Sequence, residues 1–161
     1  MEKEINGKGK EWKKMEKAIY FDMDGTIVNL YGYIGWLKEL RSKSCKPYAG
    51  AAPLIRLQLL ARLLNELQRN GWHIGIVSWL SKESTKEYDL AVTETKKKWL
   101  SKHLKSVKWN EIKIVPYGTP KEEVVSKPKG ILFDDEEKNR INWTGTAYDE
   151  TMIIEVLKAI R

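Results

Sequence analysis

Five short apolar runs punctuate the chain: AIYF at 18–21, HIGIVSW at 73–79, EIKIV at 111–115, GILF at 130–133 and TGTAY at 144–148. Each is too short for a buried helix, is rich in β-branched and aromatic residues, and ends at polar or turn-forming residues. All five therefore predict strands. Between them, apolar residues recur at helical spacing. Leu54, Leu57, Leu60, Ala61, Leu64 and Leu67 form one face of a helix that the Asn70-Gly71 pair stops. A long basic helix is predicted over 82–104, with Tyr88, Val92, Trp99 and Leu100 on its buried side. Thr119 and Pro120 suit the cap and first position of a short helix. EEKNRINW suits another helix or turn, and Asp149 caps a last helix ending at Ile160. Residues 31–40 predict a helix weakened by Gly32 and Gly35, and SKSCKPYAGAAP (42–53) reads as loop. The first 17 residues, mostly Lys and Glu with two glycines, predict a flexible basic tail.

Strands that alternate with helices, and that are continuously apolar rather than alternating, predict a parallel sheet covered on both faces. The fold class is thus α/β, a three-layer Rossmann-like sheet, over residues 18–161. At 161 residues one such domain has a sizeable core. With 42% hydrophobic and 32% charged residues the chain is neither disordered nor fibrous. No apolar run reaches the roughly 20 residues that span a bilayer, so no membrane partner is predicted. The N-terminus has no apolar signal region, and the single cysteine, Cys45, has no internal disulfide partner. A cytoplasmic protein is the expectation. The net charge of +7 favours anionic ligands such as nucleotides, nucleic acids and phosphate esters.

Two of the predicted strands end in paired acids, Asp22 and Asp24 after AIYF, and Asp134 and Asp135 after GILF. Ligands of open α/β sheets bind beyond the carboxyl ends of the strands, where strand order reverses. If these strands are neighbours, their carboxylates meet there and repel unless a cation neutralises them. Oxygen donors without a Cys or His cluster favour Mg²⁺ over zinc. His73 and His103 lack metal-ligand partners at useful spacing and read as structural or exposed, and Cys45, in a loop, lacks a nearby His to make a catalytic pair.

FDMDGTIV, with Asp22, Asp24, Gly25 and Thr26, resembles the first motif of the haloacid dehalogenase superfamily of phosphohydrolases. IVSW, with Ser78, resembles the second motif, and GILFDDEEKN the fourth. The third motif requires a lysine before the fourth, for which Lys121 is the choice over Lys127 and Lys129. The resemblance covers residues 18–161 and implies a Mg²⁺-dependent phosphomonoester hydrolase. Asp22 would attack phosphorus, and Asp24 would serve as general acid and then base. The metal would lie among Asp22, the Asp24 backbone carbonyl and Asp134 or Asp135. Ser78 and Lys121 would hold the phosphoryl oxygens.

In this superfamily a cap inserted after the first motif selects the substrate. Here the insert is small, about 29–53, and predicts an open site. Thr26, Tyr31, Trp36, Arg41 and Trp79 are the expected substrate-binding residues, with Tyr33 and Lys43 beside them. Aromatic and basic side chains together suit a nucleoside monophosphate, and the pattern resembles the small 5′-nucleotidases of the superfamily. The lysine-rich stretch at 93–113, with Trp99 and Trp109, keeps open a polynucleotide end phosphatase that acts on DNA or RNA. A non-catalytic binding module with the same fold is the alternative of another class.

Overall fold

The computed structural model of the chain describes residues 15–161, together with the backbone of Glu4–Ile5 (β1) and Glu11–Trp12 (β2). These two strands pair antiparallel, Glu4 opposite Trp12. The rest of the tail expected over residues 1–14 lies outside the described residues. By Lys17 the chain has joined the domain: its carbonyl accepts from His73 N at 2.9 Å, and its Nζ donates to Asn70 O at 2.6 Å.

Five strands follow: β3 (Ala18–Phe21), β4 (His73–Trp79), β5 (Glu111–Val115), β6 (Ile131–Phe133) and β7 (Thr146–Tyr148). They form one all-parallel sheet in the order β5-β4-β3-β6-β7. The chain builds outward from β3 through β4 to β5, then returns to the other side of β3. Strand order therefore reverses between β3 and β6.

Successive residues of each strand face opposite layers, and the three central strands are buried on both faces almost throughout. Ile19, Phe21, Ile74, Ile76, Ile131 and Phe133 pack against α3 (Leu57–Arg69), α4 (Lys86–His103) and α7 (Ile153–Ile160), through Leu60, Leu64, Trp99, Leu100 and Leu157. Ala18, Tyr20, Val77 and Leu132 pack on the other side against Val125 and Trp143, which flank α5 (Lys121–Val124) and α6 (Glu137–Asn142). The structure is a three-layer, Rossmann-like α/β fold. Among the described residues no helix is long and apolar enough to cross a membrane.

Between β3 and α3 lies an insert of two short helices, α1 (Trp36–Arg41) and α2 (Lys46–Gly50). Its ends are tied together, Asn29 N donating to Ala52 O at 2.7 Å. The predicted helix over 31–40 begins late because Gly35 has φ 76°, a left-handed conformation that a helix cannot run through. Residues 46–50, expected as loop, are helical. Pro47 falls in the first turn, where its missing N–H costs nothing, and Tyr48 is buried beside Leu30, Leu80, Tyr88 and Val92. Leu54 stays outside α3, its N–H bonded to Ile27 O at 2.9 Å and its side chain exposed. Thr85, not Lys82, opens α4, its hydroxyl accepting from Tyr88 N. Pro120, not Thr119, occupies the cap position of α5, because the Thr119 hydroxyl donates to Pro116 O.

A polar clip crosses the sheet in the row Tyr20–Gly75–Glu111. The Tyr20 hydroxyl donates to Glu111 Oε2 at 2.8 Å, reaching over Gly75, where a Cβ would lie 2.7 Å from the Tyr20 ring. Glu111 also accepts from Ser126 and bonds His73 Nε2 at 2.6 Å. Burial pushes the Glu111 carboxyl up, but the bonds from Ser126, His73 and Tyr20 outweigh it and hold it below the ordinary range. A depressed carboxyl contributes stability above its unfolded value and loses it as pH falls through the folded one. The stability difference between the native chain and Glu111→Gln, read from urea midpoints, is therefore expected to be full above about pH 5 and to shrink as the solution becomes more acidic. A difference that stays constant down to about pH 3 would contradict this role.

Candidate active site

The reversal of strand order between β3 and β6 opens the crevice in which ligands of such sheets bind. The chain delivers acids to it from both sides. Asp22 N donates to Phe133 O at 2.9 Å and so continues the ladder one residue beyond β3. Met23 then turns into the core, which leaves Asp22 and Asp24 both lining the crevice. The backbone reverses at once: Gly25 has φ 81°, and the N–H groups of Thr26, Ile27 and Val28 all reach Met23 O. A Cβ on Gly25 would lie 2.3 Å from Asp135 Oδ2, so the close approach of the two acidic loops also requires glycine.

Oxygen atoms of Asp22, Asp134 and Asp135 all lie within 4.8 Å of one another. Asp22 and Asp134 are buried, and Asp135 is partly so. Lys121 lies between two of them, 3.0 Å from Asp22 Oδ1 and 2.6 Å from Asp134 Oδ2. Of the three candidate lysines it is the one at the site. Lys127 and Lys129 lie by Tyr20 and Glu16, to which their backbone N–H groups bond. The Thr26 hydroxyl joins Asp22 Oδ2 at 3.1 Å and Asp135 Oδ1 at 3.2 Å. Asn139 Nδ2 donates to Asp134 Oδ2 at 3.1 Å, and Glu136 N to Asp134 Oδ1 at 2.9 Å.

Asp24 turns the other way. Its Oδ2 accepts from Lys96 Nζ at 2.8 Å, and the same ammonium donates to Ser78 Oγ at 2.9 Å and Trp79 O at 2.8 Å. Lys96 and Ser78 are both completely enclosed. Four carboxylates thus face two ammonium groups. Burial, followed by the charge of Asp22, raises both Asp134 and Asp135 above the ordinary carboxylate range. Burial also raises Asp24, with Lys96 opposing it. Burial alone would lower Lys121, but Asp22 and Asp134 outweigh it and hold the amine above its ordinary value. The Asp22, Asp134 and Asp135 oxygens fit a small, hard divalent cation, because its charge would relieve the repulsion that the two lysines leave.

Asp22, Asp24, Lys121, Asp134 and Asp135 form the floor of a cavity of about 590 Å³. Tyr31 and Trp36 form one wall, with ring centroids 5.0 Å apart. Trp79 and Tyr117 form another, with centroids 4.9 Å apart. Trp79 is fixed by its Nε1 donating to Thr119 O at 2.8 Å. Arg41, Lys43 and Lys82 line the cavity as well. Of the residues expected to face a substrate, Tyr31, Trp36, Arg41 and Trp79 do line it. Thr26 does not: its hydroxyl is buried between Asp22 and Asp135, where it braces the acids. Ser78 likewise lies beneath the floor and connects to Asp24 through Lys96. Tyr33 faces a separate hollow beside Asn29 and Gly50.

Sequence reasoning missed Lys96, which it left among the surface lysines of a basic helix. The signal was its spacing. Lys96 falls four residues after Val92 and four before Leu100, on the buried stripe of α4. The exposed lysines that follow, 97, 98, 102, 105 and 108, do not line the cavity. They lead toward the opposite end of the sheet, where Asn110 N bonds Ile74 O near the start of β4. Of the two histidines, His73 belongs to the Glu111 clip, and the ring centroid of His103 lies 4.4 Å from that of Trp99. No protein-family model matches the chain, and no curated protein matches it.

A cation that binds the folded state alone raises stability, by about 2.7 kcal/mol at a hundredfold excess over its Kd. Mg²⁺ is expected to raise the melting temperature at constant ionic strength. Asp135→Asn, which leaves the Lys121 bonds in place, is expected to lose most of that rise. Equal Mg²⁺ shifts in the two proteins would remove Asp135 from the cation site.

Proposed function

We propose that the protein is a phosphomonoester hydrolase of the haloacid dehalogenase type, acting on nucleoside monophosphates through an aspartyl-phosphate on Asp22. The observation that carries this is the pairing of Asp22 and Asp24 on one cavity floor, each held by a different buried lysine, at the point where strand order reverses. Two carboxylates two residues apart are thereby kept in different environments, which suits one to attack and the other to move protons.

In the first step Asp22 attacks phosphorus as the ester P–O bond breaks, and Asp24 delivers its proton to the departing oxygen. In the second step a water oxygen bonds to phosphorus, Asp24 takes the water proton, and the bond from Asp22 to phosphorus breaks. Phosphate leaves and both aspartates return to their starting state. Lys121 stabilises the Asp22 carboxylate and presents positive charge where phosphoryl charge accumulates. Asp22, Asp134 and Asp135 would hold a Mg²⁺ ion, which when bound supplies further positive charge against the phosphoryl group. Thr26, Asn139 and the Glu136 N–H orient those carboxylates.

The walls support the choice of substrate. A nucleobase is a flat ring that can pack against Tyr31–Trp36 or Trp79–Tyr117 while its phosphate reaches the floor. The short insert carries Tyr31, Trp36, Arg41 and Lys43, so it would serve as the selecting cap. Arg41, Lys43 and Lys82 favour entry of an anion. The exposed lysines after Lys96 lie away from this cavity, which favours a mononucleotide over a polynucleotide end.

Phosphate release is expected from 5′- or 3′-mononucleotides in Mg²⁺, at rates well above those from sugar phosphates or phosphorylated oligonucleotides. Asp22→Asn is expected to abolish it without loss of the folded state, and EDTA to stop it until Mg²⁺ is restored. A preference for oligonucleotide ends that weakens steeply with salt would instead make the enzyme an end-processing phosphatase. Activity in Asp22→Asn would exclude the covalent route, and full activity in EDTA would exclude the metal. Release from no substrate would favour a binding module.

A further inference from the structure

Lys96 has no role in the steps above, yet it is a buried charged group in direct contact with Asp24. Its Nζ makes three bonds, to Asp24 Oδ2, Ser78 Oγ and Trp79 O, all between 2.8 and 2.9 Å. An ammonium has three hydrogens and accepts nothing, so these bonds exhaust it and leave none for a substrate. The Tyr48 ring closes the remaining side, its centroid 5.1 Å from Nζ, and the Tyr48 hydroxyl is itself fixed by Ser81 Oγ at 2.7 Å. Lys96 is therefore held from β4, from the turn after β3 and from the insert at once.

Packing alone does not require a lysine here. Lys96 occupies the apolar stripe of α4, where an unbranched apolar chain such as Met would fill similar space without a buried charge, and a buried ion pair is weak evidence for stability. The specific consequence of the lysine falls on Asp24. Oδ2 is taken, whereas no described residue bonds Oδ1, and Asp24 lines the cavity. We infer that Lys96 is a positioning residue that clamps Asp24 by Oδ2 and leaves Oδ1 as the oxygen that exchanges protons with the departing group and with water. This rests on the phosphomonoesterase proposed above.

The inference separates the two chemical steps by their need for Asp24. An alkyl phosphate, such as a nucleoside 5′-monophosphate, needs the Oδ1 proton as its P–O bond breaks. p-Nitrophenyl phosphate does not, because p-nitrophenolate departs as a stable anion carrying the bond's electron pair. Both esters then need Oδ1 to take the water proton as the bond between Asp22 and phosphorus is cleaved. With Lys96→Met, turnover of the mononucleotide is expected to fall by about 10²-fold or more, the scale of general acid–base catalysis. Rapid mixing with p-nitrophenyl phosphate is expected to give a burst of about one p-nitrophenolate per protein, then slow turnover as the aspartyl-phosphate accumulates.

The Mg²⁺ melting shift shows whether the variant's carboxylate site is intact. Lys96→Gln, which keeps a neutral donor toward Asp24, supplies the same two readings if Lys96→Met does not fold, with a smaller loss. A loss equal for both esters and without a burst, or turnover at the native rate, would overturn the positioning role while leaving the phosphatase in place. A native protein that hydrolyses neither ester would overturn both.

Discussion

Four carboxylates gathered where two adjacent strands end dominate this molecule, because charges of one sign in a poorly hydrated crevice repel strongly. Two lysines from two different helices answer them. Lys121 comes from the first turn of α5 and bridges Asp22 and Asp134. Lys96 comes from the middle of α4 and holds Asp24. Each lysine is buried, and each would be costly without its carboxylate partners. The site and the helices that cover the sheet are thus mutually dependent: the acids need the helices in place, and the buried amines give those helices fixed positions.

The sheet makes this arrangement accurate. Because β3 is central, its C-terminal end lies beside β6 on one side and β4 on the other, and it is reached by side chains from α4, α5 and the insert. Asp22 still belongs to the hydrogen-bonded ladder, so its backbone cannot drift. Gly25 then lets the chain turn with the loop of Asp135 against it. Toward the other end of the strands, the Glu111 clip joins β3, β4 and β5 and holds them in register below the crevice.

Under the proposed function, the division of the acids between two lysines lets one short motif supply two chemical roles. Asp22 shares its lysine with Asp134 and lies beside Asp134 and Asp135, a setting that suits the nucleophile proposed above, with its charge balanced. Asp24 is separated from that cluster and held through one oxygen only. The insert adds breadth rather than enclosure: its two short helices contribute aromatic and basic side chains to the cavity wall. Its Tyr48 reaches back to cover Lys96, so the same small element touches both the cavity and the support beneath it.

Much of this was legible in the residues themselves. Short apolar runs with paired acids at their ends determined the strands, the parallel sheet and the identity of Asp22, Asp24, Asp134 and Asp135, because strand periodicity and terminal charge are local properties. Lys121 was legible through the resemblance to the third motif, while Lys127 and Lys129 also precede the β6 acids. The helix at 46–50 was not, since its stability comes from burying Tyr48 against residues far away in the chain. Lys96 was hidden for the same reason: among neighbouring lysines a charge reads as solvated surface, although its stripe position was visible. Thr26 and Ser78 were recognised, but whether a hydroxyl faces a ligand or braces a neighbour depends on what lies across from it. Local sequence determined which groups are present and on which strand they end. Only the tertiary structure decided which ammonium neutralises which carboxylate, because that pairing is set by distances between segments up to 99 residues apart.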